Sequence, residues 1–193
     1  MPSSLRLIVL LLATLALPAC DRQKPEASQA SAADGAQTPA ADAQGGKGLD
    51  RSRNGKAPPA TPFNDPAGKP TAIAAFKGKP VLVNLWATWC APCVKELPTI
   101  EALEAVQKGK LAVIAVSQDM GERGAVDSFL AGKKLGRFAA YHDGEMALSL
   151  DLGVQVLPTT ILFDDAGNEV WRYTGDLDWT GAEARKLLAE AAL

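Results

Sequence analysis

The chain has 193 residues, 47% of them hydrophobic and 22% charged, with a formal net charge of -2. That length holds one ordinary domain with extensions. The near-neutral balance excludes the strong basic field by which proteins hold nucleic acid, so no nucleic-acid partner is expected.

Met1–Leu5 is short and polar, and Arg6 adds positive charge. An almost wholly apolar run, Leu7–Leu17, follows. A mature membrane span needs ~20 residues, so this shorter run reads as the core of a signal peptide over 1–19. It ends in Leu17-Pro18-Ala19-Cys20, which resembles the lipobox of bacterial lipoproteins. That resemblance implies cleavage before Cys20 and lipidation of it, and so a membrane partner held through a lipid anchor. It also accounts for the odd one of three cysteines, Cys20, Cys90 and Cys93. The alternatives are ordinary secretion with Cys20 a free thiol, or an uncleaved anchor. Asp21 resembles the signal that keeps lipoproteins at the inner membrane, which places the protein on the periplasmic side of it.

Residues 20–56 are rich in Ala, Gln, Ser, Gly and Pro and hold no aromatic residue. Such a segment cannot bury enough apolar surface to offset the entropy of ordering it. It is expected to be a flexible tether, with a reach of ~30–36 Å at ~5–6 Å × √n.

From 57 to 193 strand and helix signals alternate. Pro80–Trp86 is a mostly apolar run, as in a strand covered on both faces. Pro92–Gln107 repeats apolar residues at helical spacing, Leu111–Val116 is a second buried strand, and Glu122–Lys134 reads as a helix. A strand at Phe138–Tyr141 and a helix at Glu145–Leu152 are expected next, with His142 exposed in a turn. Thr159–Phe163 and Glu169–Tyr173 flank the turn-forming Asp164-Asp165-Ala166-Gly167-Asn168 and read as an antiparallel hairpin. Thr180–Leu193 closes as a helix. The fold class is therefore α/β, a central mixed sheet flanked by helices and ending in a hairpin and a C-terminal helix.

The chemistry-bearing segment is Trp86-Ala87-Thr88-Trp89-Cys90-Ala91-Pro92-Cys93, where a buried strand hands over to a helix. A cysteine at a helix N-terminus faces unpaired N–H groups and the positive end of the helix dipole. Both favour the thiolate, so the pKa of Cys90 should fall below the free value of ~8.5. Cys93, one turn on, is placed to attack a mixed disulfide and release product. Pro92 suits the first helical turn. A structural zinc site needs four ligands, and Cys20 and His142 are the only other candidates, so no metal is expected. A c-type haem site would place His after Cys93, where Val94 stands. A purely structural disulfide, and a fold kept only as a binding module, remain open.

Val81–Pro98, with Gly153-Val154-Gln155-Val156-Leu157-Pro158-Thr159-Thr160-Ile161-Leu162-Phe163-Asp164 and the upstream Phe76-Lys77-Gly78-Lys79-Pro80, resembles the TlpA/ResA branch of the thioredoxin superfamily. The resemblance implies a thioredoxin fold and a thiol–disulfide oxidoreductase with Cys90 and Cys93 as redox pair, their disulfide serving in place of any cofactor. It implies that Pro158 is a cis-proline beside that pair, with the Leu157 backbone free to pair with an extended substrate segment. From the residues alone, Pro158 reads as a trans proline opening an edge strand. Trp89 and Pro92 are expected to flank bound substrate. Glu96 matches an acidic residue of membrane-tethered reductases and could accept the proton of Cys93; by spacing alone it is a surface residue. Asn84 stands where general thioredoxins hold a buried Asp and cannot act as a base, which leaves proton handling to Glu96 or water. Trp86 and Trp89 either shield the cysteines or are ordinary core and rim aromatics.

Fold does not set redox direction. The span from thioredoxin at ~-270 mV to DsbA at ~-120 mV is about 7 kcal/mol, and oxidants reach its upper end by stabilising the reduced thiolate. Ala91 and Pro92 bring no charge or side-chain donor to Cys90, which favours a reductant, as the resemblance also does. The resemblance further implies exported protein disulfides as substrates, an apocytochrome c thiol pair among them, and a membrane electron donor of DsbD or CcdA type. A monomer is expected. The alternatives are a thiol oxidase or isomerase of the same fold, or a non-catalytic tethered binding module.

Overall fold

The computed structural model describes residues 48–135 and 138–191. Eight strands form one sheet in the order β1-β8-β7-β4-β5-β6-β2-β3. They are β1 (Gly48–Asp50), β2 (Phe63–Asn64), β3 (Pro70–Thr71), β4 (Val81–Trp86), β5 (Ala112–Ser117), β6 (Tyr141–His142), β7 (Thr159–Phe163) and β8 (Glu169–Thr174). The helices are α1 (Ala91–Gln107), α2 (Gly124–Gly132), α3 (Ala147–Asp151) and α4 (Ala182–Leu188). β4 is central, parallel to β5 and antiparallel to β7. The sheet is mixed and flanked by helices, as the sequence implied.

The continuous apolar run of β4 has a direct cause. Successive side chains leave a strand on opposite faces, and both faces here are covered. Leu82 and Trp86 enter a core with Leu97 and Ile100 of α1, Leu130 of α2 and Leu187 of α4. Val81, Val83 and Leu85 enter a second core with Leu148 of α3, Leu152 just after it, Ile73 and Phe63. Leu97 and Ile100 are fully buried, each adding about 2 kcal/mol of apolar transfer. The β7–β8 hairpin closes through Asp164, whose N–H donates to Asn168 O at 2.9 Å and whose Oδ1 accepts from Asn168 N at 2.7 Å. Gly167 supplies the positive φ of 87° that this turn needs.

Several expectations are corrected. The ordered domain does not begin at 57: Gly48, Leu49 and Asp50 pair with Thr174, Tyr173 and Arg172 of β8. Arg51 then bonds Glu190, and Arg53 Nη1 donates to Leu152 O at 2.9 Å. The end of the expected tether is therefore an edge strand. The strand expected at Phe138–Tyr141 is reduced to Tyr141–His142. Phe138 instead turns edge-on to Trp86 at 6.4 Å and 72°, while Phe138 N bonds Leu135 O and Ala140 N bonds Phe138 O. His142 is no exposed turn residue. It lies buried in β6, and its Nε2–H donates to Asp119 O at 2.9 Å. Helix α3 begins at Ala147 and not at Glu145, because Met146 is left-handed at φ 56°; Asp143 accepts from Ala147 N at 3.2 Å and Leu148 N at 2.9 Å. Helix α4 ends at Leu188 and passes into a 3₁₀ turn, Ala189–Ala191. The signal peptide, Cys20 and most of the expected tether lie outside the described residues.

Candidate active site

Cys90 is the N-cap of α1, extended at φ -88° and ψ 97°. Its Sγ accepts from Cys93 N–H at 3.3 Å, and its carbonyl accepts Val94 N–H at 3.0 Å. The sulfur thus lies where helix N–H groups are unpaired and the dipole is positive, both favouring negative charge. Pro92 occupies the first turn, where a missing N–H leaves no bond unmade. Pro98 lies further along the same helix and removes one i→i−4 bond.

Cys90 and Cys93 form a disulfide with Cα atoms 5.2 Å apart. Cys90 is 6% exposed and Cys93 fully buried, so Cys90 is the sulfur that an incoming group can reach. Trp89 stands 66% exposed beside it, whereas Trp86 is fully buried among Phe129 and Phe138. The two tryptophans therefore differ: Trp86 is core and Trp89 is rim.

The loop that presents Cys90 is tied to β5. Asp119 accepts from Thr88 N at 2.9 Å and Thr88 Oγ1 at 2.5 Å, and Ser117 Oγ donates to it at 2.7 Å. Across the sheet, the Leu157–Pro158 peptide bond is cis. Pro158 is buried, and its carbonyl accepts Gly175 N–H at 2.8 Å. Among the described residues neither backbone group of Leu157 is hydrogen-bonded. Since β4 and β5 end where β7 begins, the Trp89 loop, Met120 and Val156 share one end of the sheet. Both Met120 and Val156 are exposed.

Glu96 is buried, not on the surface. Its Oε1 accepts from Asn84 Nδ2 at 2.8 Å; its Oε2 accepts from Leu177 N and Trp179 Nε1, each at 3.1 Å. Burial pushes its pKa up to about 7, against the three donors, with the nearby Asp176 carboxylate adding to the rise. A group that titrates there can take or give a proton near neutral pH. Trp179 is itself fully buried and stacked on Trp171 at 6.4 Å and 10°. Sequence reasoning reached Cys90, Cys93, Glu96 and Pro158 but missed Asp119, Leu177 and Trp179. Trp179 lies 83 residues from Glu96, and no local pattern signals the contact.

A mixed sheet, a helix-capping disulfide and a cis-proline at the adjoining strand define a thioredoxin-fold thiol–disulfide oxidoreductase. Comparison with known proteins agrees. Residues 53–188 match the Redoxin family model, and the chain belongs to that family, in its TlpA/ResA-like branch. It is 33% identical over 108 residues to the thioredoxin-like protein YneN of Bacillus subtilis, covering 52% of this chain and 59% of that one. It is 34% identical over 123 residues to the thiol-disulfide oxidoreductase ResA of Bacillus anthracis, covering 63% and 70%. A crystal structure from Chlorobium tepidum, described as a thiol:disulfide interchange protein DsbE, superposes with a TM-score of 0.63 at 25% identity, over 72% of this chain and 97% of that one.

Proposed function

We propose that this protein is a lipid-tethered reductant of protein disulfides outside the cytoplasm. The carrying observation is the Cys90–Cys93 disulfide at the start of α1 with the Glu96 carboxyl buried in the next turn. In the forward direction the reduced Cys90 thiolate attacks one sulfur of a substrate disulfide. That S–S bond breaks, and its other sulfur leaves as a thiolate and takes a proton. Cys93 then loses its proton to Glu96 and attacks Cys90 Sγ. The substrate's remaining sulfur departs with the electron pair, Glu96 returns a proton to it, and the Cys90–Cys93 disulfide remains. Two electrons have moved to the substrate. A membrane dithiol donor of the DsbD or CcdA kind restores the reduced pair.

Direction follows from Cys90's neighbours. Ala91 and Pro92 add no charge to the helix's own field, which argues against the extreme thiolate stabilisation of strong oxidants. The exposed Trp89, Met120 and Val156, with the unpaired Leu157 backbone, suit an extended, partly apolar protein segment carrying the disulfide. An apocytochrome c thiol pair is one such segment. Tethering rests on Cys20 and its preceding apolar run; no helix among the described residues is long and apolar enough to cross a membrane.

Cys93→Ser expressed in the source cell should hold substrate as a mixed disulfide on Cys90, recoverable from the membrane fraction and released by dithiothreitol. A redox potential well above about -180 mV, the value for protein disulfide isomerase, would overturn the reductant assignment. Full substrate reduction by Cys90→Ser would overturn the catalytic reading itself.

A further inference from the structure

The polar cluster behind the disulfide has an unequal hydrogen-bond count that bears on how Glu96 carries a proton. Asn84 is fully buried in β4. Its Nδ2 spends both protons, on Glu96 Oε1 at 2.8 Å and on Thr160 Oγ1 at 2.9 Å. Its Oδ1 is buried with no partner. A buried amide oxygen left unpaired is normally costly.

The two oxygens of Glu96 are not equivalent. Oε2 already receives two N–H donors, Leu177 N and Trp179 Nε1. Oε1 receives one, from Asn84. A proton reaching this carboxyl therefore settles on Oε1, where it meets an Asn84 N–H and forms donor against donor. Turning the Asn84 amide by 180° removes that conflict. Oδ1 then accepts the Glu96 O–H. It can also accept the Thr160 hydroxyl proton, which has no acceptor among the described residues. Nδ2 in turn moves into the place now held by the unpaired Oδ1. Each orientation leaves one amide group unpaired and serves one state of the carboxyl.

We infer that Asn84 is a positioning residue that reads the protonation of Glu96, donating through Nδ2 to the carboxylate and accepting through Oδ1 from the carboxylic acid. This deepens the reading of Glu96 as proton acceptor for Cys93 and rests on it for its catalytic meaning, though not for its geometry. An amide that suits both states lets the proton enter and leave without stranding the carboxyl in either. β4 thus offers a neutral partner to an acid on the facing helix. The other charged groups here are few. Asp176, in the loop after β8, is bridged to Lys95 Nζ of α1 at 3.0 Å, and Cys93 lies one helical turn before Glu96. β4 and β7 contribute only the neutral Asn84 and Thr160.

The test is side-chain NMR on the oxidised, isotopically labelled protein between pH 5 and 9, in which Cys90 and Cys93 do not titrate. The Asn84 NH₂ signals should move between two limiting positions with the same midpoint as the Glu96 Cδ signal. Their nuclear Overhauser contact to Thr160 should be present at the alkaline limit and lost at the acid limit. Glu96→Gln, whose amide N–H mimics the protonated carboxyl, should hold Asn84 at the acid limit at every pH. Asn84 signals that ignore the Glu96 titration, or a Glu96→Gln protein fixed at the alkaline limit, would overturn the inference. Neither readout depends on turnover, so it can fail while Glu96 remains catalytic, and it can hold if Glu96 is not.

Discussion

Replacing Glu96 by Gln tests the physics of the buried acid through stability. Glu96 has a folded-state pKa of about 7 against an ordinary 4.5. The folded protein therefore binds this proton more tightly than the unfolded chain. Stability must fall as pH rises from about 4.5 to about 7 and then level off. At about 1.36 kcal/mol per tenfold difference in proton affinity, the gap amounts to about 3 kcal/mol. Gln keeps the shape, keeps an oxygen for Leu177 N–H and Trp179 Nε1–H, and cannot ionise. Urea unfolding of the two oxidised proteins from pH 4.5 to 8.5 isolates the contribution, because every other titrating group is common to both. The Glu96→Gln profile should lack the decline across this window and lie above the native one, by up to about 3 kcal/mol, on the alkaline side. Parallel profiles would refute the claim that burial controls this carboxyl.

Trp179→Phe removes one donor from the Glu96 carboxylate but keeps a large ring beside Trp171. The Glu96 titration should move further up, as read by its Cδ signal. Asp119→Ala leaves Thr88 N–H and two hydroxyls without their acceptor. It should lose about 1–3 kcal/mol in urea unfolding and slow dithiol exchange through a looser Cys90 loop. A chain beginning at Gly48 keeps every described strand and is the reference. One beginning at Ala57 lacks β1, the Arg51–Glu190 pair and Arg53, and its Tm should be lower by several degrees in calorimetry.

What could be read from the sequence was local. The β4–α1 unit announces itself because its apolar run, its CxxC spacing and Pro92 all fall within Pro80–Cys93. The hairpin was legible for the same reason, through its turn chemistry. Pro158 on its residues alone reads as an ordinary strand opener, and its cis geometry came from resemblance. β1 gave no signal, since Gly48-Leu49-Asp50 has no periodicity and becomes a strand only because β8 offers an edge. His142 looked like a turn residue beside Asp143 and Gly144, yet a single bond to the Asp119 carbonyl accompanies its burial. The surroundings of Glu96 were the least legible, because Asn84, Leu177 and Trp179 reach it from 12 to 83 residues away.

Reactivity of the first thiol decides most. The reduced protein should be alkylated by iodoacetamide across pH 4–10, with modification at Cys90 followed by peptide mass. A rate midpoint clearly below the free-thiol value of about 8.5 is the expected result for a sulfur at the start of α1. A midpoint at or above 8.5 would contradict the claim that this helix end holds Cys90 as a nucleophile.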